Sequence, residues 1–189
     1  MIIPQTRLPK ALFIVDVQPR TFEERLPFDI TERIAVFLQQ QTYDAYVVAE
    51  YFAPPESMMW KQSEFQYSEA ETGPTSEKIL TALVDFDKDV LRIQKTNRSC
   101  FKSFQQDELR KFLQARQIGE IHFVGFDIND CVLASAYEAI DLGYYSFVLE
   151  ELCHRYDGDQ STKEAALTIL RQQCMTNNSL GDRILFKEI

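Results

Sequence analysis

The sequence predicts an α/β fold: a three-layer, doubly wound (Rossmann-like), mostly parallel six-stranded sheet with strand order 3-2-1-4-5-6. Short apolar, β-rich segments alternate with helical ones along nearly the whole chain, which implies parallel strands joined by right-handed crossovers. The helical segments carry apolar residues at helical spacing, so each has one face to lay against a sheet. With 189 residues and 45 % hydrophobic content, the chain suits one sizeable core and is short for two, so residues 1–189 are read as a single domain.

The first strand is placed at 11–15, where an apolar run precedes Asp16. A helix over 31–40 follows, with Ile34, Val36 and Phe37 on one face, and then a second strand at 45–49. The segment 51–74 carries Pro54, Pro55, Trp60, Phe65 and Tyr67 without periodicity. A connection that long above a parallel sheet is expected to cover a binding site. The helix at 76–86 sets Ile79, Leu80, Leu83 and Val84 on one stripe, and a third strand lies at 90–94. A helix at 106–116, a strand at 121–125 and a helix at 131–142 come next, the last closed by Gly143. A strand at 144–149, a helix at 161–173 and a sixth strand at 184–186 complete the order.

Composition narrows the function. The net charge of −9, with no cluster of basic residues, argues against a nucleic-acid partner. No stretch has the length of a membrane span, and no secretory signal is evident at the start. Cys100, Cys131, Cys153 and Cys174 are widely spaced and form no CxxC pair, so they are read as reduced thiols of a cytoplasmic protein. Dinucleotide and nucleotide binding are disfavoured, since neither GxGxxG nor GxxxxGK[ST] occurs.

Three residues share one edge of the predicted sheet. Asp16 ends the first strand, Lys95 follows the third, and Cys131 opens the helix after the fourth. Ligands of open parallel sheets bind outside the carboxyl ends of the strands, where the strand order reverses. In the order 3-2-1-4-5-6 the first and fourth strands flank that reversal. With about 4.8 Å between neighbours, the third lies roughly 10 Å from the first, a gap that a lysine largely spans. A helix N-terminus and a nearby cation favour a thiolate at Cys131, and Asp16 is placed to take its proton. Singly, each residue has an ordinary structural reading: packing, turn capping or solvation.

At these positions the chain resembles the isochorismatase-like cysteine hydrolases, a superfamily that includes nicotinamidases and N-carbamoylsarcosine amidases. The resemblance is carried by Leu12-Phe13-Ile14-Val15-Asp16-Val17-Gln18, by Lys95-Thr96-Asn97-Arg98-Ser99-Cys100-Phe101, and by Gly125 through Cys131-Val132 into Ser135-Ala136-Tyr137-Glu138-Ala139. It spans roughly residues 8–175. It implies that Asp16 is the general base and acid, Lys95 the cation that lowers the thiol pKa, and Cys131 the nucleophile. It also implies a cis peptide before Asp127, with the N–H groups of Asp127 and Cys131 forming an oxyanion hole. Substrate contacts are expected from Gln18, Phe52, Trp60, Phe101 and Asp127, and a homo-oligomer, dimer or tetramer, is implied. The chain departs from the family in having Ile128 where threonine is frequent, and Asp127 where a small or uncharged residue is usual.

Nicotinamidases carry an Asp-x-His metal motif after the second strand, and Val47-Val48-Ala49-Glu50-Tyr51-Phe52-Ala53-Pro54 has none. With only His122 and His154 in the chain, no multi-histidine metal site is possible, and no cofactor is expected. His122 is read as structural, and His154 as a solvated loop residue. The function expected is metal-independent hydrolysis of a C–N bond in a small amide, carbamoyl or ureido compound through a thioester. The alternatives are vinyl ether hydrolysis of the isochorismatase type, a catalytically silent binding protein, and a redox-sensing thiol.

Overall fold

A computed structural model describes residues 8–21, 30–62, 66, 68–84 and 89–176. Five parallel strands form one sheet in the order β3-β2-β1-β4-β5: β1 (Lys10–Val15), β2 (Ala45–Tyr51), β3 (Val90–Lys95), β4 (Glu120–Gly125) and β5 (Tyr145–Cys153). The expected sixth strand at 184–186 lies outside the described residues. Thr176 makes an isolated parallel bridge to Val148, on β5.

The apolar alternation of the central strands divides the core into two layers. Ala11, Phe13 and Val15 pack with Leu109 and Leu113 of α5 (Gln106–Ala115), Val132 and Ala136 of α6 (Cys131–Asp141), and Leu167 and Leu170 of α7 (Gln160–Gln172). Leu12 and Ile14 face the other way, against Ile30, Ile34 and Leu38 of α1 (Ile30–Gln40) and Ile79 of α4 (Glu77–Ala82). Because β1 is covered on both faces, Ala11 through Val15 are all fully buried. This continuous apolar run is the expected signature of a central parallel strand.

The predicted elements differ from the observed ones mainly at their ends. Strand β5 runs to Cys153 rather than stopping at residue 149. Glu150 and Glu151 interrupt the apolar pattern but are held by Arg171 of α7 and Arg33 of α1. A register irregularity between Phe123 and Gly125 lets the strand continue, so that Gly125 faces Cys153. The segment 51–74 contains two short helices, α2 (Met58–Gln62) and α3 (Glu69–Thr72). A capping box formed by Ser68 and Glu71 opens the second. The helix expected at 76–86 is observed as Glu77–Ala82, and residues 85–88 lie outside the described residues.

The carboxyl edge of the sheet depends on Gly125. Its φ is +113°, and a Cβ there would stand 2.1 Å from the Val15 carbonyl oxygen. That carbonyl accepts the Phe126 N–H at 2.8 Å, so β4 leaves the sheet hard against the end of β1. Beyond Gly125, the Ile128 N–H donates to the His154 carbonyl at 3.0 Å, and the His154 N–H donates to the Gly125 carbonyl at 3.1 Å. The chain end of β5 thus clamps the loop that leads to Cys131.

Candidate active site

Asp16 follows β1 in the left-handed region, at φ +53°, which few non-glycine residues adopt and which aspartate tolerates better than most. Its N–H donates to the Ala49 carbonyl, and its carbonyl accepts the Gln18 N–H, both at 2.9 Å. This tight turn fixes the carboxylate above the sheet edge. Lys95 ends β3, in register with Tyr51 at the end of β2. Its side chain is fully buried and crosses to Asp16, with Nζ 2.6 Å from Oδ2. The ammonium also donates to the Asn97 carbonyl at 3.3 Å and lies 5.0 Å from the centre of the Tyr51 ring.

Cys131 is the first residue of α6, just after Asp130 at its N-cap. Ser135, one turn on, donates its hydroxyl to the Cys131 carbonyl at 2.7 Å and accepts the Cys100 N–H at 3.0 Å. This buried hydroxyl joins the nucleophile's helix to the turn that follows Lys95. None of the four cysteines is in a disulfide, and Cys174 is the exposed one.

The electrostatics of this cluster differ from the expectation in one respect. Burial pushes the Cys131 thiol well above its ordinary value; the Lys95 charge pulls it down, and Asp16 and Asp130 push it up. The resting thiol is therefore neutral rather than a preformed thiolate, because the helix terminus and one lysine do not offset the loss of water. Burial also pushes the Asp16 carboxyl up, and Lys95 opposes this by charge and by its hydrogen bond. Burial would lower Lys95, but Asp16, by its charge and its hydrogen bond, opposes this and holds Lys95 charged. Oδ1 of Asp16 is buried without a hydrogen-bond partner among the described residues. A carboxylate with an open lone pair beside a neutral thiol is a pair suited to passing a proton from sulfur to oxygen.

The Phe126–Asp127 peptide is cis. Among the described residues, neither the Asp127 N–H nor the Cys131 N–H donates to another protein group. The Asp127 carbonyl accepts the N–H groups of Asp130 and Val132, each at 3.0 Å, which holds the loop onto the first turn of α6.

A pocket opens at this edge, lined by Asp16, Gln18, Tyr51, Asp127, Cys131 and Tyr156, with Met59, Thr72, Phe126 and Asp130 completing the wall. Asp16, Cys131 and Asp127 therefore share one cavity, and Lys95 lies buried behind it. Gln18 reaches the pocket, but its amide is committed to the backbone: it donates to the carbonyls of Gly73 at 2.7 Å and Tyr51 at 3.1 Å, and accepts the Tyr51 N–H at 2.8 Å. It is a strut between β2 and the covering segment.

The three aromatic residues expected over the cleft stand elsewhere. Phe52 packs on Phe104, Phe101 on Phe13 and Tyr144, and Trp60 on the small cluster of Tyr51, Ala53 and Met59. Tyr51, Phe126 and Tyr156 supply the aromatic wall instead. Strand alternation explains Tyr51, which follows Ala49 and Glu50 with its side chain over Lys95; Tyr156 belongs to an irregular segment with no periodic signal.

Neither histidine is a pocket residue. His122 hydrogen-bonds Tyr43, just before β2, and Glu120 of β4, at 2.8 and 2.6 Å. His154 is 3 % exposed rather than solvated, and burial lowers its pKa to about 4. Its backbone, not its ring, serves the site. No group of three or more His, Cys, Asp or Glu side chains suited to a metal ion exists among the described residues. The end of β2 and the positions after it supply Tyr51, Phe52 and Ala53, so the donor set does not fit a metal there.

The family model for the isochorismatase domain matches residues 10–179. The chain belongs to this family. Solved structures share its fold at low sequence identity. An isochorismatase-like hydrolase from Alkaliphilus metalliredigens is 14 % identical, with a TM-score of 0.68 over 89 % of this chain and 93 % of that one. The nicotinamidase/pyrazinamidase of Bacillus subtilis is 18 % identical, with a TM-score of 0.69 over 90 % and 100 %. Yeast nicotinamidase bound to the inhibitor nicotinaldehyde is 16 % identical, with a TM-score of 0.72 over 88 % and 98 %. No curated protein sequence matches the chain. No helix among the described residues is long and apolar enough to cross a membrane.

Proposed function

We propose that this isochorismatase-family chain is a cysteine hydrolase that cleaves the C–N bond of a small amide, carbamoyl or ureido compound through a thioester. The observation that carries the reading is the buried Asp16–Lys95 pair, 2.6 Å apart, with Asp16 lining the same pocket as Cys131 at a helix N-terminus. The likeness to nicotinamidase folds supports amide chemistry, and a cysteine at this place favours it over vinyl ether hydrolysis.

As the Cys131 sulfur attacks the carbonyl carbon, its proton passes to Asp16. Lys95 favours the transient negative charge and keeps Asp16 in place. The carbonyl oxygen becomes an oxyanion facing the Asp127 and Cys131 N–H groups, which have no acceptor among the described residues. Donors placed in this way contribute several kcal/mol in known oxyanion holes, about 3 to 4 for one donor. Collapse breaks the C–N bond, and Asp16 returns the proton to the leaving nitrogen. Water then attacks the thioester, giving its proton to Asp16; the acid departs, and Cys131 regains its proton. Each step uses groups of this chain and water.

Ammonia or amine release from a panel of small amides, carbamoyl compounds and ureides tests the reading. Turnover that disappears in Cys131→Ala is expected. A panel with no substrate, or turnover unaffected by that substitution, would contradict it.

A further inference from the structure

Among the described residues three aspartates line the pocket, and two of them are neutralised. Asp16 is paired with Lys95, and Asp130 with Arg98. Asp127 has no ion-pair partner among the described residues. Its Oδ1 accepts the Tyr156 N–H at 2.8 Å, while Oδ2 is buried with no hydrogen-bond partner. The residue is 5 % exposed and lines the same cavity as Cys131. A buried carboxylate oxygen without a partner is uncommon in a folded protein and calls for one.

The described surroundings do not supply that partner. Among the described residues no Lys or Arg side chain is in the pocket wall; Lys95 is fully buried behind it. Arg155 acts on Asp127 at a distance, but its guanidinium is engaged by both oxygens of Asp157, at 2.9 and 2.6 Å. Tyr51 and Tyr156, two of the aromatic walls, each already accommodate a cation at 5.0 Å from the ring centre, Lys95 and Arg155 respectively. The wall is therefore acidic and aromatic, a combination that suits a positively charged nitrogen group and opposes a carboxylate-bearing one.

Resting on the hydrolase reading above, we infer that the substrate is a small amide or ureido compound bearing a cationic nitrogen group, which pairs with Asp127 Oδ2. Asp127 acts as a specificity residue through its side chain, apart from the role of its N–H. In the free protein burial holds its pKa at about 7, so an incoming cation restores the ionised form.

Binding separates this inference from the chemistry. Cys131→Ala protein, which cannot turn over, is titrated by calorimetry with two pairs of near-isosteric probes: glycinamide against propanamide, and 3-aminopropanamide against butanamide. The cationic member of at least one pair should bind about ten-fold tighter or better. Adding Asp127→Asn, which keeps the acceptor for the Tyr156 N–H, should bring the two members of the pair within about two-fold of each other. Equal affinities within both pairs would overturn the inference, as would a preference that survives Asp127→Asn or no binding of any probe at tens of millimolar. A cation preference without ammonia release by the wild type would uphold the pocket assignment and sink the hydrolase; ammonia release without the preference would do the reverse.

Discussion

Asp127 is the residue at which this chain departs most from what its family implies, and it makes a stability prediction of its own. Its carboxyl ionises near pH 7 in the folded protein, against an ordinary value of 3.8, with burial as the main cause and Tyr156 N–H, Arg155, Asp130 and Asp16 as the other influences. The folded state therefore favours the protonated form. That advantage is fully present below the ordinary value and is lost as pH rises through 7. Asp127→Asn removes the titration, so its stability relative to wild type should grow between pH 4 and pH 8. The gain is up to about 4 kcal/mol, the free energy that separates ionisation at 3.8 from ionisation near 7. Urea unfolding at both pH values measures it; a constant difference would contradict the burial argument. Asp16, Lys95 and Cys131 should behave as one unit. Asp16→Asn, Lys95→Met and Cys131→Ala should each lower kcat by several orders of magnitude, and double substitutions by little more than the worst single one. Multiplying losses would show that they act independently.

Between residue and sheet, the site is held by two joints. Gly125 has φ +113° and no space for a Cβ beside the Val15 carbonyl, so Gly125→Ala should lower Tm by about 5 °C or more. Ser135 bridges the Cys131 carbonyl and the Cys100 N–H inside the core. Ser135→Ala leaves a buried N–H unmatched and should destabilise by about 1 to 3 kcal/mol in urea unfolding, with kcat reduced as the first turn of α6 loosens. The sequence announced these joints unevenly. Apolar runs and helical stripes mark β1 to β4 and α1, α5, α6 and α7 because each buries a face against the sheet. Asp16, Lys95 and Cys131 were legible because they stand at strand ends. Phe52, Trp60 and Phe101 were not, since aromatic character does not tell packing from lining, and the direction of a side chain in 51–74 depends on short helices with no periodic signature. The pull of burial on Cys131 was also hidden: a helix N-terminus is visible in sequence, but the depth of a cleft is not.

For the molecule as a whole, the parallel order 3-2-1-4-5 explains why residues separated by 79 and 36 positions in sequence meet: β1 lies between β2 and β4, and all carboxyl ends point to one edge. The donor set at that edge fits no metal, so turnover should survive exhaustive dialysis against EDTA to within about two-fold. Loss of activity that zinc restores would overturn that statement. The central claim is that Cys131 carries the acyl group, and acid-quenched mass spectrometry during turnover of a substrate amide reads it directly. The account predicts a transient mass increase equal to the acyl portion, mapped to the peptide containing Cys131 and discharged by hydroxylamine. Steady turnover with Cys131 unmodified at every quench time, matched by full activity in Cys131→Ala, would contradict it.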